Sequence, residues 1–124
     1  MREKLVPTED EEQCWLLSWA EINEYRWPEL GLLYHIPNEG KRTAASGARL
    51  RRMGLRRGVP DLCLPAARGR YHGLYIELKA VGGRATAEQK EYIAALCEQG
   101  FFAVVCVGGE AAARMIVEYL EGRL

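Results

Sequence analysis

Gly58-Val59-Pro60-Asp61-Leu62-Cys63-Leu64-Pro65 and, after a short loop, Gly73-Leu74-Tyr75-Ile76-Glu77-Leu78-Lys79-Ala80 form the stretch of this 124-residue chain that decides its fold. The second segment has the β-branched and aromatic content of a strand, so its side chains alternate between two faces. Tyr75, Glu77 and Lys79 share one face; Ile76, Leu78 and Ala80 share the other. The first segment reads as a shorter strand, Asp61 to Pro65, leaving a Gly-Val-Pro turn, and a loop from about Ala66 to His72 joins the two. Antiparallel pairing about the middle of that loop sets Asp61 opposite Leu78, beside both Glu77 and Lys79. A slip of one residue sets it directly across from one of them.

Two carboxylates a few ångströms apart each disfavour the other's ionisation unless a positive charge lies between them. Oxygen ligands alone suit a hard divalent cation such as Mg²⁺ or Mn²⁺, which keeps several waters and meets substrate phosphate in its open positions. Lys79, on the face of Glu77, is then placed to orient or deprotonate an attacking water, or to offset charge building on a phosphate. A salt-bridged hairpin with Glu77 paired to Lys79 is the plainer reading of a bare Glu-x-Lys; the Asp at the start of the facing strand argues for more.

Upstream, Thr8 and Glu11 form a capping box at the start of a helix reaching about Glu24, and the acids at 9–12 suit its positive end. Trp15, Leu16, Trp19, Ala20, Ile22 and Asn23 recur along it at helical spacing. Leu32 to Ile36 reads as the first strand, followed by the polar loop Asn38-Glu39-Gly40-Lys41-Arg42. Ala44 to Met53 reads as a short helix stopped at Gly54. Downstream, Thr86 and Gln89 form a second capping box. The helix they open has Tyr92, Ile93, Leu96 and Cys97 as its expected buried stripe and Gly100 as its stop. Phe101 to Val107 is a continuous apolar run, expected as a strand buried on both faces. A last helix from Glu110 to Leu120 turns Ala113, Ile116, Val117 and Leu120 inward. The order is αβαββαβα, which favours a mixed sheet of about four strands flanked by helices over a bundle.

With 48% apolar residues and no apolar run near the length of a membrane span, the chain reads as one soluble domain over residues 1–124. Met1-Arg2-Glu3-Lys4 precedes no long apolar region, so no secretion signal is expected. Cys14, Cys63, Cys97 and Cys106 lack paired C-x-x-C spacing and read as reduced core thiols of a cytoplasmic protein, which disfavours zinc- or thiol-based chemistry. Net charge is zero, yet nine basic residues and one acid, Asp61, lie between Lys41 and Arg70. A solvated face usually interleaves both signs; this block can supply sequence-independent phosphate contacts. Lys41, Arg52, Arg56 and Arg57 are its members expected on nucleic acid.

Pro60-Asp61 followed by Glu77-Leu78-Lys79 resembles the PD-(D/E)xK nuclease superfamily. With Ile36-Pro37-Asn38-Glu39-Gly40-Lys41-Arg42, Gly58-Val59-Pro60-Asp61-Leu62, Tyr71 to Lys79 and Thr86-Ala87-Glu88-Gln89, the chain from about Thr8 to Leu120 is similar to the VRR-NUC (virus-type replication-repair nuclease) family in its stand-alone phage and prophage form. That resemblance implies a restriction-endonuclease-like α-β-α sandwich and a Mg²⁺- or Mn²⁺-dependent DNA endonuclease. Asp61, Glu77 and the Leu78 carbonyl would hold the ion, and a first-helix acid would complete the shell. Glu9, which with Gln13 matches the family's Glu-x-x-x-Gln pattern, is the expected acid, with Glu12 as its competitor. The resemblance also turns Gln89 toward the active site, although capping alone suffices to explain it. It brings Asn38 and Arg42 near the DNA backbone, where an ordinary turn is the alternative. It further implies a homodimer acting on branched DNA such as Holliday junctions. The reading from a different class is a non-catalytic nucleic-acid-binding module using the arginine-rich 41–70 segment. His35 and His72 match no ligand pattern and read as structural or phosphate-adjacent.

Overall fold

A computed structural model describes residues 5–38 and 43–124. Its elements are α1 (Glu9–Asn23), a 3₁₀ turn (Pro28–Leu32), β1 (Tyr34–His35), α2 (Ala44–Arg52), β2 (Leu62–Leu64), β3 (Leu74–Lys79), α3 (Ala87–Glu98), β4 (Phe102–Val107) and α4 (Gly109–Leu120). The sheet runs β1-β2-β3-β4, antiparallel except for the parallel β3–β4 pair. A parallel pair needs a long crossover, and α3 is that connection. Among the described residues, the four strands and four α-helices follow the expected order.

One sheet face carries the core. Leu62, Leu64, Leu74, Ile76 and Leu78 are buried there with Leu16 and Ala20 of α1 and Ala112, Ala113, Ile116, Tyr119 and Leu120 of α4. The α4 seam is broader than expected, because Tyr119 is also buried and donates its hydroxyl to the Ala66 carbonyl at 2.6 Å, whereas Val117 is only half-buried. In α1 the buried seam narrows to Leu16 and Ala20, while Trp15 is 44% and Ile22 71% exposed. The covered side of the helix is the one that meets β3, α4 and the 3₁₀ turn.

The other face is thinly covered, which overturns two expectations. No residue of α3 is buried: Tyr92, Ile93 and Leu96 are half-buried and Cys97 is exposed. β4 is correspondingly half-buried rather than enclosed, with Cys106 its single buried residue. Both follow from topology, since β4 is an edge strand packed against α3 and α4. All four cysteines are free; Cys63 and Cys106 are buried, but Cys14 and Cys97 are exposed, so only two are core thiols.

The first strand is shorter than the sequence suggests. Proline at the first position closes a 3₁₀ turn over Pro28–Leu32, leaving two residues to pair with β2. Capping predictions hold at α1 and α3, where the Thr8–Glu11 and Thr86–Gln89 boxes are complete. Among the described residues no helix is long and apolar enough to cross a membrane.

Candidate active site

The β2–β3 ladder runs from Leu64↔Leu74 to Leu62↔Ile76 and stops there, one residue off the expected register. Continued by one step, it would set Asp61 across from Glu77. Instead of backbone pairing, the Asp61 side chain accepts the Leu78 N–H at 2.8 Å. A carboxylate thus stands where the next main-chain acceptor would be, and the strands part around it. The Asp61 carbonyl is held from the other side, accepting from the Ile36 N–H at 2.7 Å and from His35 Nδ1 at 3.0 Å.

Three carboxylates meet at this opening. Single oxygens of Glu9, Asp61 and Glu77 lie within 4.8 Å of one another. Glu9 comes from the first turn of α1, Asp61 from the entry to β2, and Glu77 from the middle of β3. Glu12 is engaged elsewhere, its Oε1 accepting the Gly109 N–H at 3.0 Å. It thereby supplies the side-chain cap that Gly108 cannot give α4. The two helices touch closely there, since a Cβ on Gly109 would lie 2.7 Å from the Trp15 ring. Of the two competing acids, Glu9 is the one at the cluster.

Glu77 is 1% exposed. Its Oε2 faces the Lys79 ammonium at 3.3 Å and accepts from Gln89 Nε2 at 3.2 Å. Among the described residues, its Oε1 is buried without a hydrogen-bond partner. Burial, then the Asp61 carboxyl beside it, pushes the Glu77 carboxyl up to about 8, with Lys79 only partly offsetting both. Buried polar atoms are rarely left unpaired in native proteins. A salt-bridged hairpin accounts for Oε2 but leaves Oε1 without a role. A hard divalent cation among the three carboxylates satisfies that atom and removes the repulsion that raises the Glu77 carboxyl, so the donor set fits Mg²⁺ or Mn²⁺.

Gln89 makes two contacts at once. Its Oε1 accepts the Thr86 N–H at 2.8 Å while its Nε2 reaches Glu77. The start of α3 is thereby tied to the carboxylate cluster. Gly58 sets how closely that helix approaches: its φ is +83, and a Cβ there would lie 2.5 Å from the Glu88 carbonyl oxygen. Replacing Gly58 by Ala is expected to cost about 1–3 kcal/mol and to weaken Mn²⁺ binding by pushing α3 and Gln89 off Glu77. Urea unfolding and a Mn²⁺ titration of the variant check both effects.

Two cavities flank Asp61. One, of about 450 Å³, is lined by Asn38, Arg56, Arg57, Asp61, Glu77 and Gln89 among others. The second, of about 150 Å³, lies under α1 and is lined by Glu9, Gln13, His35, Asn38, Asp61 and Leu78 with Asp10. Arg56, Arg57 and Asn38 are therefore at the site. Arg52 is exposed on α2, and Lys41 and Arg42 lie outside the described residues. His35, expected to be structural or phosphate-adjacent, lines the small cavity, and its only local signal is its position just ahead of the Pro37-Asn38 loop.

This sheet, its flanking helices and the carboxylate cluster define an α/β protein of restriction-endonuclease-like architecture with a site suited to metal-assisted hydrolysis. Residues 8–110 match the VRR-NUC domain, and the chain belongs to that family. It is also similar to a solved structure described as a VRR_NUC domain protein, at 34% identity over 94% of this chain and 91% of that one, with a TM-score of 0.81. No curated protein matches it. Family membership points to a nuclease.

Proposed function

We propose that the protein is a metal-dependent endonuclease that hydrolyses phosphodiester bonds in DNA, with residues 1–124 acting as a single nuclease domain. The observation that carries this reading is the meeting of Glu9, Asp61 and Glu77 around an unpartnered buried oxygen, with Lys79 alongside. Mg²⁺ or Mn²⁺ held by Asp61, Glu77, Glu9 and the Leu78 carbonyl would polarise the scissile phosphate and lower the pKa of a water. Lys79 orients the attacking water and offsets charge building on the phosphate oxygens. Gln89 holds Glu77 in place through the start of α3. The water gives up a proton as its oxygen bonds to phosphorus and the bond from phosphorus to the sugar oxygen breaks, and the departing oxygen takes up a proton from solvent.

The larger cavity suits the DNA backbone, since Arg56 and Arg57 line it and offset phosphate charge beside Asp61 and Glu77. Arg42, Lys41 and Arg52 extend this basic surface in the proposal, with Asn38 as a polar contact. Exchanging Arg56 and Arg57 together for Ala is expected to weaken DNA binding and to lower the slope of log affinity against log salt by about two. Mn²⁺ affinity should stay unchanged. Binding measured at several salt concentrations provides the check.

Branched DNA is the proposed substrate and a homodimer the proposed form, because two symmetric nicks require two symmetric active sites. Labelled linear, flap, splayed and four-way DNAs, incubated with and without Mg²⁺ or Mn²⁺ and read on a denaturing gel, test the reading. Metal-dependent cuts on the branched forms support it. Tight binding without cuts in either metal would leave a nucleic-acid-binding module, the reading that the arginine-rich segment favours.

A further inference from the structure

We propose that His35 is a positioning residue of this site, using its two ring nitrogens for different tasks: Nδ1 fixes the backbone of Asp61, and Nε2 accepts a hydrogen bond from a water in the small cavity under α1. The role rests on the nuclease reading above.

A carbonyl oxygen can only accept, so the 3.0 Å contact between His35 Nδ1 and the Asp61 carbonyl puts the hydrogen on Nδ1. In the neutral ring Nε2 then carries the lone pair. His35 lines the 150 Å³ cavity together with Glu9 and Asp61, two of the three clustered carboxylates. That space has room for several waters at about 30 Å³ each. Its acidic lining suits the hydration shell of a cation and opposes entry of a phosphate chain, whereas the larger cavity sets Arg56 and Arg57 against Asp61, Glu77 and Glu88.

Register separates His35 from the other groups of the site. It pairs with Leu62, which pairs with Ile76, so its side chain leaves the sheet on the α1 face. Glu77 and Lys79 leave on the opposite face, where Gln89 of α3 meets Glu77. Lys79 carries hydrogens to donate and no lone pair to accept with while charged. Among the described residues that line the small cavity, His35 brings a nitrogen acceptor not already bonded within the protein. An acceptor there fixes the direction in which a water presents its oxygen toward the carboxylate cluster.

The two tasks can be separated by substitution. The amide nitrogen of His35→Asn can replace the Nδ1 hydrogen bond but cannot reach the Nε2 position. His35→Gln reaches that position with an amide oxygen and gives up the short contact. Each variant is compared with the wild type for thermal melting, Mn²⁺ affinity and single-turnover cleavage of DNA at saturating Mn²⁺. The expected result is that His35→Asn melts and binds Mn²⁺ like the wild type but cleaves about 10–100-fold more slowly, with KM unchanged, and that His35→Gln cleaves faster than His35→Asn. If His35 only clips Asp61 in place, the order reverses, and that result overturns the proposal.

A readout independent of turnover uses ¹⁵N-histidine-labelled protein loaded with Mn²⁺ and pulsed electron paramagnetic resonance. The chain has two histidines, and His72 packs on the Phe101 ring instead. A weak ¹⁵N coupling that survives His72→Ala and vanishes in His35→Asn supports the assignment. Absence of that coupling, or a strong coupling from direct ligation, overturns it. Failure of the wild type to bind Mn²⁺ or to cut DNA would instead remove the nuclease reading, and the role of His35 with it.

Discussion

Asp61→Asn should abolish cleavage, by about 10³-fold or more if several kcal/mol of charge stabilisation in the transition state is lost, while DNA binding survives. The reason lies in what the side chain does twice. As an acceptor for the Leu78 N–H at 2.8 Å it closes the end of the β2–β3 ladder. The amide oxygen of Asn can keep that bond, so the fold should hold. As a charged member of the cluster with Glu9 and Glu77 it cannot be replaced by a neutral amide. Mn²⁺ titration, single-turnover cleavage and a DNA-binding isotherm on one preparation separate the outcomes. Undiminished cleavage would remove Asp61 from the site, and loss of cleavage together with loss of fold would show its role to be structural.

Without metal, the protein should lose stability as the pH rises from about 4.5 to about 8. The folded Glu77 carboxyl is pushed up to about 8 by burial and by Asp61, whereas its ordinary value is 4.5. Between these values the folded chain holds a proton that the unfolded chain has released, so stability falls by about 1.4 kcal/mol per pH unit from this group. Below the window both forms are protonated and the group contributes fully; above it both are ionised and the contribution is gone. Glu77→Gln should flatten this dependence and melt higher than the wild type at alkaline pH. Mn²⁺ requires the ionised form, so the shift in melting that it produces in the wild type should grow with pH through the same window. Metal-free denaturation curves at several pH values, on the wild type and on Glu77→Gln, test this. Equal slopes for the two proteins would show that the carboxylate is solvated in the folded state.

The high value for Glu77 and its unpaired oxygen have one cause. A carboxylate needed for a cation is costly to bury without one. Lys79 faces Oε2, so on the proposed metal-dependent reading the folded protein would gain stability on binding an ion. Gln89 and Gly58 belong to the same device. One ties Glu77 to α3, and the other lets the 58–61 loop approach that helix closely.

Residue spacing alone makes legible the order of elements, the Asp61, Glu77 and Lys79 combination, the two capping boxes and the basic block ahead of β3. These depend on residues close in the chain, where alternation, capping chemistry and charge follow from spacing alone. Only the tertiary structure decided which first-helix acid joins the cluster, because Glu9 and Glu12 differ in the partner they reach across the fold rather than in local sequence. It also decided that α3 and β4 are half-covered, since an apolar run reads alike in a central strand and in an edge strand. The part played by His35 emerged there too, for a lone histidine acquires a task only when the packing of distant segments sets a carbonyl against one nitrogen and an open cavity beside the ring.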